Sequence, residues 1–272
     1  MHTREDLDAT RFSRMSTGDI DRIGSALAGR DTAPRGVNPA YLKEIVACDI
    51  TDVFFTGDDT VENVFHVFYL EDTAVVEDWG IGAAYRESIQ EIVDAHPRGE
   101  IRFALDNRDT GRDLGWTFQH EAGEMKRGIT GTGYSDSCPR FRDEHLDGAV
   151  RLLSQDWWTP AQARDFIEAA TGHSDGITVV TVDDGRVTGF NHAAYSGEDA
   201  WMNALYVDEE YREAGRGRRL LKSMLARLQE DGVRTVYLGI TKSNDPAVNL
   251  YTESGFEFTD FRKFEFSVNQ ET

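Results

Sequence analysis

Residues 177–266 alternate between strand-like and helix-like patterns, and this order restricts the possible folds more than any other feature of the chain. Residues 177–182 and 187–195 are rich in β-branched and aromatic side chains, and the turn Asp183-Asp184-Gly185 between them predicts a hairpin. The later predicted elements are a strand at 201–207, an amphipathic helix stopping near Gly232, a strand at 235–240, a helix at 246–253 and a strand at 256–266.

Two helices are predicted before these strands. A helical apolar face recurs over residues 143–155, and Thr159-Pro160 has the pattern of an N-cap followed by the first helical position. The resulting order predicts an α/β fold with a mixed, mostly antiparallel sheet and helices on both faces. Residues 128–137 are rich in glycine and serine, so we divide the chain into domains at 1–130 and 139–272, joined by a linker at 131–138.

The charge balance is strongly acidic, because 49 acidic residues face 29 lysines and arginines and give a net charge of −20. This balance argues against nucleic-acid binding, which requires cationic residues that displace counterions. With few lysines among many carboxylates, it is typical of a halophilic protein, in which molar salt screens the repulsion between the carboxylates. The alternative is an acidic cytosolic protein without such adaptation. The sequence shows no apolar run long enough for a bilayer and no signal-peptide pattern, so we expect a soluble cytoplasmic protein with no membrane partner.

Metal and disulfide sites are not expected. Cys48 and Cys138 are far apart in sequence, and the seven histidines occur singly. Neither arrangement has the ligand spacing of a structural zinc site or the framework of a disulfide-rich protein.

Residues 205–221 join a predicted strand to a predicted helix through a loop rich in glycine and arginine. Gly215 and Gly217 would let backbone N–H groups approach a ligand, and a helix N-terminus favours an anion. Four arginines cluster at this helix start, namely Arg212, Arg216, Arg218 and Arg219. The helix dipole disfavours a cation there by about 0.3–1 kcal/mol, a cost that a bound polyphosphate would reverse. The segment therefore predicts an anion site; the alternative is a solvated arginine face that balances neighbouring glutamates.

Two common phosphate motifs do not fit this loop. A P-loop requires Gly-Lys-Ser/Thr, which is absent from the sequence. A dinucleotide fingerprint requires a third glycine where Leu220 stands.

A third pattern does fit. Residues 212–217, Arg-Glu-Ala-Gly-Arg-Gly, have the form Arg/Gln-x-x-Gly-x-Gly/Ala. Further on, the pattern Asn-x-x-Ala-x-x-Leu-Tyr-x-x-x-Gly-Phe is matched by Asn244, Ala247, Leu250, Tyr251, Gly255 and Phe256. On these two motifs, about 130 residues of the C-terminal half resemble the GNAT superfamily of N-acetyltransferases, whose coenzyme-A signature is the first motif.

The resemblance implies acetyl-CoA as cosubstrate, no metal and an amine acceptor. It implies that the loop amides hold the pyrophosphate, that the strand ending at Val207 splays from the strand at 236–240 to admit the pantetheine arm, and that an N–H in residues 205–207 polarises the thioester carbonyl. The candidate coenzyme-binding residues are Leu205, Tyr206, Val207, Arg212, Glu213, Ala214, Gly215, Arg216, Gly217, Arg218, Asn244 and Tyr251.

The resemblance also makes Tyr251 the candidate general acid for the departing thiolate; the alternative is an aromatic residue at the edge of the core. The general base stays open, because Gly239 and Trp201 stand where relatives carry a glutamate. Asp208, Glu198 or a water chain remain as alternatives, and a neutral amine that enters directly would need no dedicated base. The candidate lining of the acceptor pocket, with a core role as the alternative, is Trp157, Trp158, Asn191, His192 and Tyr195.

The first half repeats this plan weakly. Gly80-Ile81-Gly82 precedes Gly215-Arg216-Gly217 by 135 positions, residues 101–105 precede 236–240 by the same offset, and residues 114–118 precede 254–258 by 140. These offsets place Glu77 opposite Arg212 and Gly111 opposite Tyr251, and they set Ile81, Ala83 and Ala84 against three of the arginines. We therefore expect residues 1–130 to be a degenerate GNAT-like copy without a coenzyme site, which packs on the C-terminal domain or walls the acceptor site.

The sequence thus predicts an N-acetyltransferase that moves an acetyl group from acetyl-CoA to a primary amine of a small molecule or protein by direct attack, acting as a monomer or homodimer. The alternatives are a non-catalytic acyl-CoA-binding regulatory protein and a structural pseudo-enzyme.

Overall fold

The computed structural model describes residues 13–27, 36–56, 61, 64–69, 73–79, 100–105, 108–131, 133–155 and 158–268. Within these residues there are seven α-helices: α1 (Ile20–Leu27), α2 (Pro39–Ala47), α3 (Arg108–Asp113), α4 (Leu146–Leu153), α5 (Pro160–Thr171), α6 (Arg216–Glu230) and α7 (Asp245–Glu253). The strands in the same part of the chain are β1 (Ser13–Arg14), β2 (Thr51–Phe55), β3 (Val64–Tyr69), β4 (Thr73–Asp78), β5 (Glu100–Leu105), β6 (Thr117–Gly128), β7 (Gly176–Asp183), β8 (Arg186–Ser196), β9 (Asp199–Val207), β10 (Thr235–Thr241) and β11 (Glu257–Val268).

Local sequence signals set several helix starts. The Thr159 side chain accepts a hydrogen bond from the Gln162 amide at 3.3 Å, the Gln162 side chain accepts one from the Thr159 amide at 3.0 Å, and proline follows the cap. Asn38 caps α2 in a similar way, accepting from the Tyr41 amide at 3.1 Å. The predicted cap at Thr159 is confirmed, whereas α2 was not predicted.

The strands form one mixed sheet in the order β1-β2-β3-β4-β5-β11-β6-β10-β9-β8-β7. Most neighbours are antiparallel, and the parallel pairs are β4 with β5 and β9 with β10. Helices cover both faces, so the predicted fold class is confirmed. No helix in the described part of the chain combines the length and apolar character needed to cross a bilayer.

The two halves of the chain exchange strands at the centre of the sheet. β6, from the first half, pairs with β10 and β11, and β11 pairs in turn with β5. β5 and β10 are the strands related by the offset of 135, and β6 and β11 are those related by 140, so each pair occupies equivalent places about the β6–β11 ladder. The proposed domain limits stay a prediction, but the sheet continues across them.

Glu77 was mapped wrongly from the sequence. It lies in β4, which pairs with β5 from Thr73 opposite Glu100, whereas β9 pairs with β10 from Asp199 opposite Thr235. By this register Glu77 corresponds to Asn203 and not to Arg212. The offset of 135 fails here because 27 positions separate the first pair and 36 separate the second. Gly80-Ile81-Gly82, Ala83 and Ala84 lie outside the described residues.

Gly111 and Tyr251, in contrast, do occupy corresponding helices, since α3 joins β5 to β6 as α7 joins β10 to β11. A Cβ atom at Gly111 would come within 2.5 Å of the Phe266 ring of β11. A tyrosine cannot occupy this place in the first half, because the exchanged strand already fills it.

The core has two layers on the C-terminal part of the sheet. On one face, α6 packs Leu220, Leu221 and Met224 against β7 to β10. On the opposite face lie α4 and α5, and beside them α2 from the first half, whose cluster includes Ala194 of β8 and Trp201 of β9. The first half therefore covers part of the second half's sheet on the face opposite to α6.

Candidate active site

A wedge-shaped gap opens between the parallel strands β9 and β10. Their pairing ends at Met202 opposite Leu238, although β9 continues to Val207 and β10 to Thr241. A register shift between β8 and β9 leaves Asn203 as an extra residue, because His192 faces Ala204 while Ala193 faces Met202. The splay between these strands that the family resemblance implied is present, and it begins at this bulge.

Two backbone N–H groups of β9 point into the gap. The Asp208 amide donates to the Thr188 carbonyl at 2.9 Å, which fixes the residues of β9 that bond to β8. Because orientation alternates along an antiparallel strand, the amides of Tyr206 and Ala204 also face β8, and those of Leu205 and Val207 face away. The predicted 205–207 segment therefore offers Leu205 and Val207 as donors.

The loop after β9 leads into the N-terminus of α6. The side chain of Asp208 caps a short 3₁₀ turn at Glu209–Tyr211, and the backbone then adopts positive φ at Glu213 (61°) and Gly215 (75°). Gly215 has no side chain to cap the helix, so the first N–H groups of α6 remain free to meet an anion. At Gly217, an added Cβ atom would lie 3.3 Å from the Leu250 side chain, so the helix packs closely on α7.

A cationic pocket of about 300 Å³ lies beside this helix start. Its lining residues are Gly215, Arg218, Arg219, Lys222, Ser135 and Ser137. Three cations around one opening favour an anionic ligand although the protein is acidic overall. Lys222, which lies one helical turn after Arg218, was not predicted as a site residue, and neither were the two serines.

Comparison with known proteins agrees with this geometry. Residues 135–256 match the family model described as acetyltransferase (GNAT) family. Over this segment the chain is similar to the GNAT acetyltransferases. Spermine/spermidine N(1)-acetyltransferase of Bacillus subtilis (strain 168) is 34% identical over 59 residues, which are 21% of this chain and 39% of that protein. The ribosomal protein bS18-alanine N-acetyltransferase of Escherichia coli (strain K12) is 30% identical over 79 residues, 29% of this chain and 53% of that protein.

The chain thus spans about half or less of these curated relatives. One solved structure matches a much larger share of the chain than these relatives do. A tandem GNAT protein from the clavulanic acid biosynthesis pathway superposes with a TM-score of 0.67 at 15% identity, over 94% of this chain and 97% of that one. At this identity the likeness concerns the fold, and it extends over both halves.

Arg216, the first residue of α6, already has side-chain partners. Its guanidinium donates to both carboxylate oxygens of Asp183 at 3.0 Å and lies 4.6 Å from the centre of the Tyr211 ring. These hydrogen bonds, together with one from Thr188, lower the pKa of Asp183 to about 2. Arg216 is therefore directed to the β7–β8 hairpin, while Arg218 and Arg219 line the cationic pocket. The side chain of Arg212 donates to the Val207 carbonyl at 3.1 Å and so closes the loop onto β9.

The other two candidate site residues are Asn244, directly before α7, and Tyr251 within it. Asn244 is the N-cap of this helix, where its side chain accepts from the Ala247 amide at 3.3 Å. Tyr251 is 8% exposed and meets Phe256 edge to face, with ring centres 5.6 Å apart. Burial raises the pKa of its phenol, so the phenol is protonated at neutral pH. Both proposed roles of Tyr251, core aromatic and acid, are compatible with this position.

Neither carboxylate proposed as a base is placed for that task. Asp208 is buried, and its carboxylate accepts from Arg151 at 3.2 Å and from Arg186 at 2.7 Å. Burial opposes ionisation, but these arginines hold the pKa below its ordinary value. Glu198 is exposed at the β8–β9 turn, the opposite end of β9 from the gap, and pairs with Arg234 at 3.2 Å.

A glutamate from the first half instead contacts Asn203, the residue after the last position of β9 that pairs with β10. Glu44 of α2 is buried, and its Oε1 lies 2.7 Å from Nε2 of His192 and 2.9 Å from Nε2 of His173. Its Oε2 accepts from the Asn203 side chain at 2.7 Å. Burial opposes the charge, but the histidines lower the pKa of Glu44, so the carboxylate is ionised at neutral pH.

Only some of the candidates for the acceptor lining therefore lie near Glu44. Trp158 lines the cavity beside Glu44, and His192 contacts Glu44 directly. Tyr195 instead donates to Asp231 on the α6 side, at 3.2 Å. Asn191, within β8, is buried, and its side-chain amide has no partner among the described residues. Trp157 lies outside the described residues.

Proposed function

We propose that the GNAT domain transfers an acetyl group from acetyl-CoA to a primary amine by direct attack on the thioester. The observation that carries this proposal is the gap itself. Leu205 and Val207 point two backbone donors into it, and an uncapped helix N-terminus and a cationic pocket lie at one side. Donors fixed in a cleft are what the developing oxyanion of acyl transfer requires.

The coenzyme would lie across these features. The backbone from Arg212 to Arg218 would receive the pyrophosphate, with Glu213 and Ala214 within the turn, and the cationic pocket would receive the remaining phosphate charge. The pantetheine arm would enter between β9 and β10 beside Leu205, Tyr206 and Val207. Asn244, at the start of α7, would border the arm.

The chain's own groups would then act in order. The amine nitrogen attacks the carbonyl carbon, the new C–N bond forms, and Leu205 or Val207 donates its N–H to the oxyanion. As the C–S bond breaks, Tyr251 gives its proton to the sulfur and later regains one from solvent. The proton lost by the amine passes to water.

We also propose that residues 1–130 are a second GNAT-like copy that binds no coenzyme and walls the acceptor side. The strand order and the position of α2 on the C-terminal sheet support this role.

The test is thiol release from acetyl-CoA with a panel of primary amines, together with calorimetric titration of coenzyme A at working salt. We expect saturable coenzyme binding and amine-dependent release of one thiol per amide formed. Binding without release for every amine would instead identify a non-catalytic acyl-CoA-binding protein. No binding would remove the assignment altogether.

A further inference from the structure

We propose that the small cavity between the two halves is the acceptor site, and that it takes a short aliphatic primary amine whose N–H groups are received by Glu44 and Asn203. This inference deepens the proposed acetyl transfer and rests on it for the reaction, although the binding step can be measured alone.

The cavity is formed by both halves of the chain. α2, β2 and β3 supply one side, and α5 with β9 supplies the other. Its lining residues are mostly apolar and include Tyr41, Ile45, Ile50, Phe68, Trp158 and Phe166. Aromatic walls of this kind stabilise an alkyl chain by burial and an adjacent ammonium by cation–π attraction.

The polar end of the cavity has unused hydrogen-bond capacity. Oε2 of Glu44 accepts one bond, from Asn203, and a carboxylate oxygen has two lone pairs. Oδ1 of Asn203 is buried and has no hydrogen-bond partner among the described residues. A buried acceptor without a partner is destabilising, and a ligand N–H would satisfy it. Two acceptors side by side, one of them charged, are complementary to an amine.

Asn203 links this cavity to the gap. It is the extra residue of the β9 bulge, two positions before Leu205, whose N–H points into the gap. Glu44 lies on the α2 side of the sheet, and the α6 side carries the glycine loop. An amine held by Glu44 and Asn203 would thus approach the acetyl group from the face opposite to the pyrophosphate. His173 and His192 fix the carboxylate in place.

Size and charge limit the occupant. The cavity measures about 70 Å³. At roughly 15 Å³ per water-sized group, this leaves room for about five non-hydrogen atoms. The lining offers one carboxylate to a ligand and no second anionic group among the lining residues, so a distal ammonium would be buried unpaired. These limits favour n-butylamine over hexylamine and over 1,4-diaminobutane.

The test is calorimetric titration of the intact protein, without acetyl-CoA, with n-butylamine, n-hexylamine and 1,4-diaminobutane. We expect n-butylamine to bind at least about tenfold more tightly than the other two, and Glu44→Gln to weaken it at least about tenfold. Glu198→Gln, which removes an exposed carboxylate at the far end of β9, is the matched control and should bind like the wild type.

A second variant tests the cavity without replacing Glu44, so that loss of binding can be told apart from misfolding around Glu44. Ala169 lines the cavity and packs with Cys48 and Ile50, so Ala169→Leu should fill the cavity, weaken n-butylamine at least about tenfold and leave the dissociation constant of acetyl-CoA unchanged. Equal amine affinity in wild type, Glu44→Gln and Ala169→Leu would overturn the proposal. A protein that binds n-butylamine in this pattern but releases no thiol would retain the site and lose the acetyl-transfer function.

Discussion

The sheet contains two parallel strand pairs, and they differ in how far the pairing runs. In the first half, β4 and β5 pair from Thr73 to Glu77 along almost their whole length. In the second half, β9 and β10 pair from Asp199 to Met202 and then separate. The same topology therefore gives a closed pair in one half and a wedge-shaped gap in the other.

The side chains at the point of divergence differ as well. Glu77, at the register position of Asn203, accepts from the Trp79 indole at 3.0 Å and lies 3.5 Å from His66. These contacts are internal to the first half, whereas Asn203 lines a cavity and its Oδ1 has no hydrogen-bond partner in the described part of the chain. A ligand site in this fold thus depends on where pairing stops, because only unpaired strand ends leave backbone donors for a ligand.

The contrast between the closed β4–β5 pair and the open β9–β10 pair would be wrong if both halves bound the coenzyme. We expect calorimetric titration to give one coenzyme A per chain, because the closed pair in the first half leaves no entrance for the pantetheine arm. Gly217→Val should remove that single site, since a side chain there meets Leu250 and Val207. Gly128→Val is the control, at a position where an added Cβ meets nothing within 4 Å. A stoichiometry of two would contradict the comparison.

Much of the second half could be predicted from its sequence, because its signals are local. The Thr159 cap, the hairpin turn with positive φ at Asp184 and Gly185, and the glycine at the start of α6 are each set by neighbouring residues. The gap could be expected only through the family resemblance, since no local residue pattern indicates where the pairing of β9 with β10 ends.

What was missed depends on contacts between distant parts of the chain. Glu44 meets His192 across 148 positions, and Arg216 is captured by Asp183 across 33. A lone glutamate on a helix gives no sign of which histidine it will meet, and a loop arginine gives no sign that it is already paired. Glu77 was misplaced for a related reason, because one offset cannot follow connections of unequal length.

The next test removes one donor from the gap. Leu205→Pro deletes the N–H that faces β10 while leaving the bonds to β8 intact, so the strand should survive. If Leu205 is the oxyanion donor, we expect kcat to fall about 10²–10³-fold, or about 3–4 kcal/mol, with acetyl-CoA affinity nearly unchanged. Leu205→Ala, which keeps the N–H, is the control for lost packing. A kcat equal to that of Leu205→Ala would transfer the role to Val207.

The acid role of Tyr251 predicts a smaller effect. Gly111 takes its place in the first half, so Tyr251 is a further point at which the halves diverge. Tyr251→Phe should lower kcat about 10²-fold through loss of the proton donor, and coenzyme affinity should stay constant because the ring still packs on Phe256. Tyr195→Phe, whose hydroxyl bonds to Asp231, is the matched control. Full turnover in Tyr251→Phe would leave Tyr251 as a core aromatic.

The smallest expected difference separates two arginines three positions apart on α6. Arg219 lines the cationic pocket, whereas Arg216 is held by Asp183 and Tyr211. Arg219→Ala should weaken coenzyme A about five- to tenfold, or about 1–1.4 kcal/mol, because a phosphate loses a charged donor that water and salt partly screen. Arg216→Ala should change the dissociation constant less than about twofold, since its guanidinium already bonds to a carboxylate. Titration of both variants at several salt concentrations separates the two, because the Arg219 effect should shrink as ionic strength rises while the Arg216 effect stays small throughout. A larger loss in Arg216→Ala would mean that Arg216 leaves Asp183 when the phosphates bind, and the cationic pocket would then lose its assignment as the phosphate site.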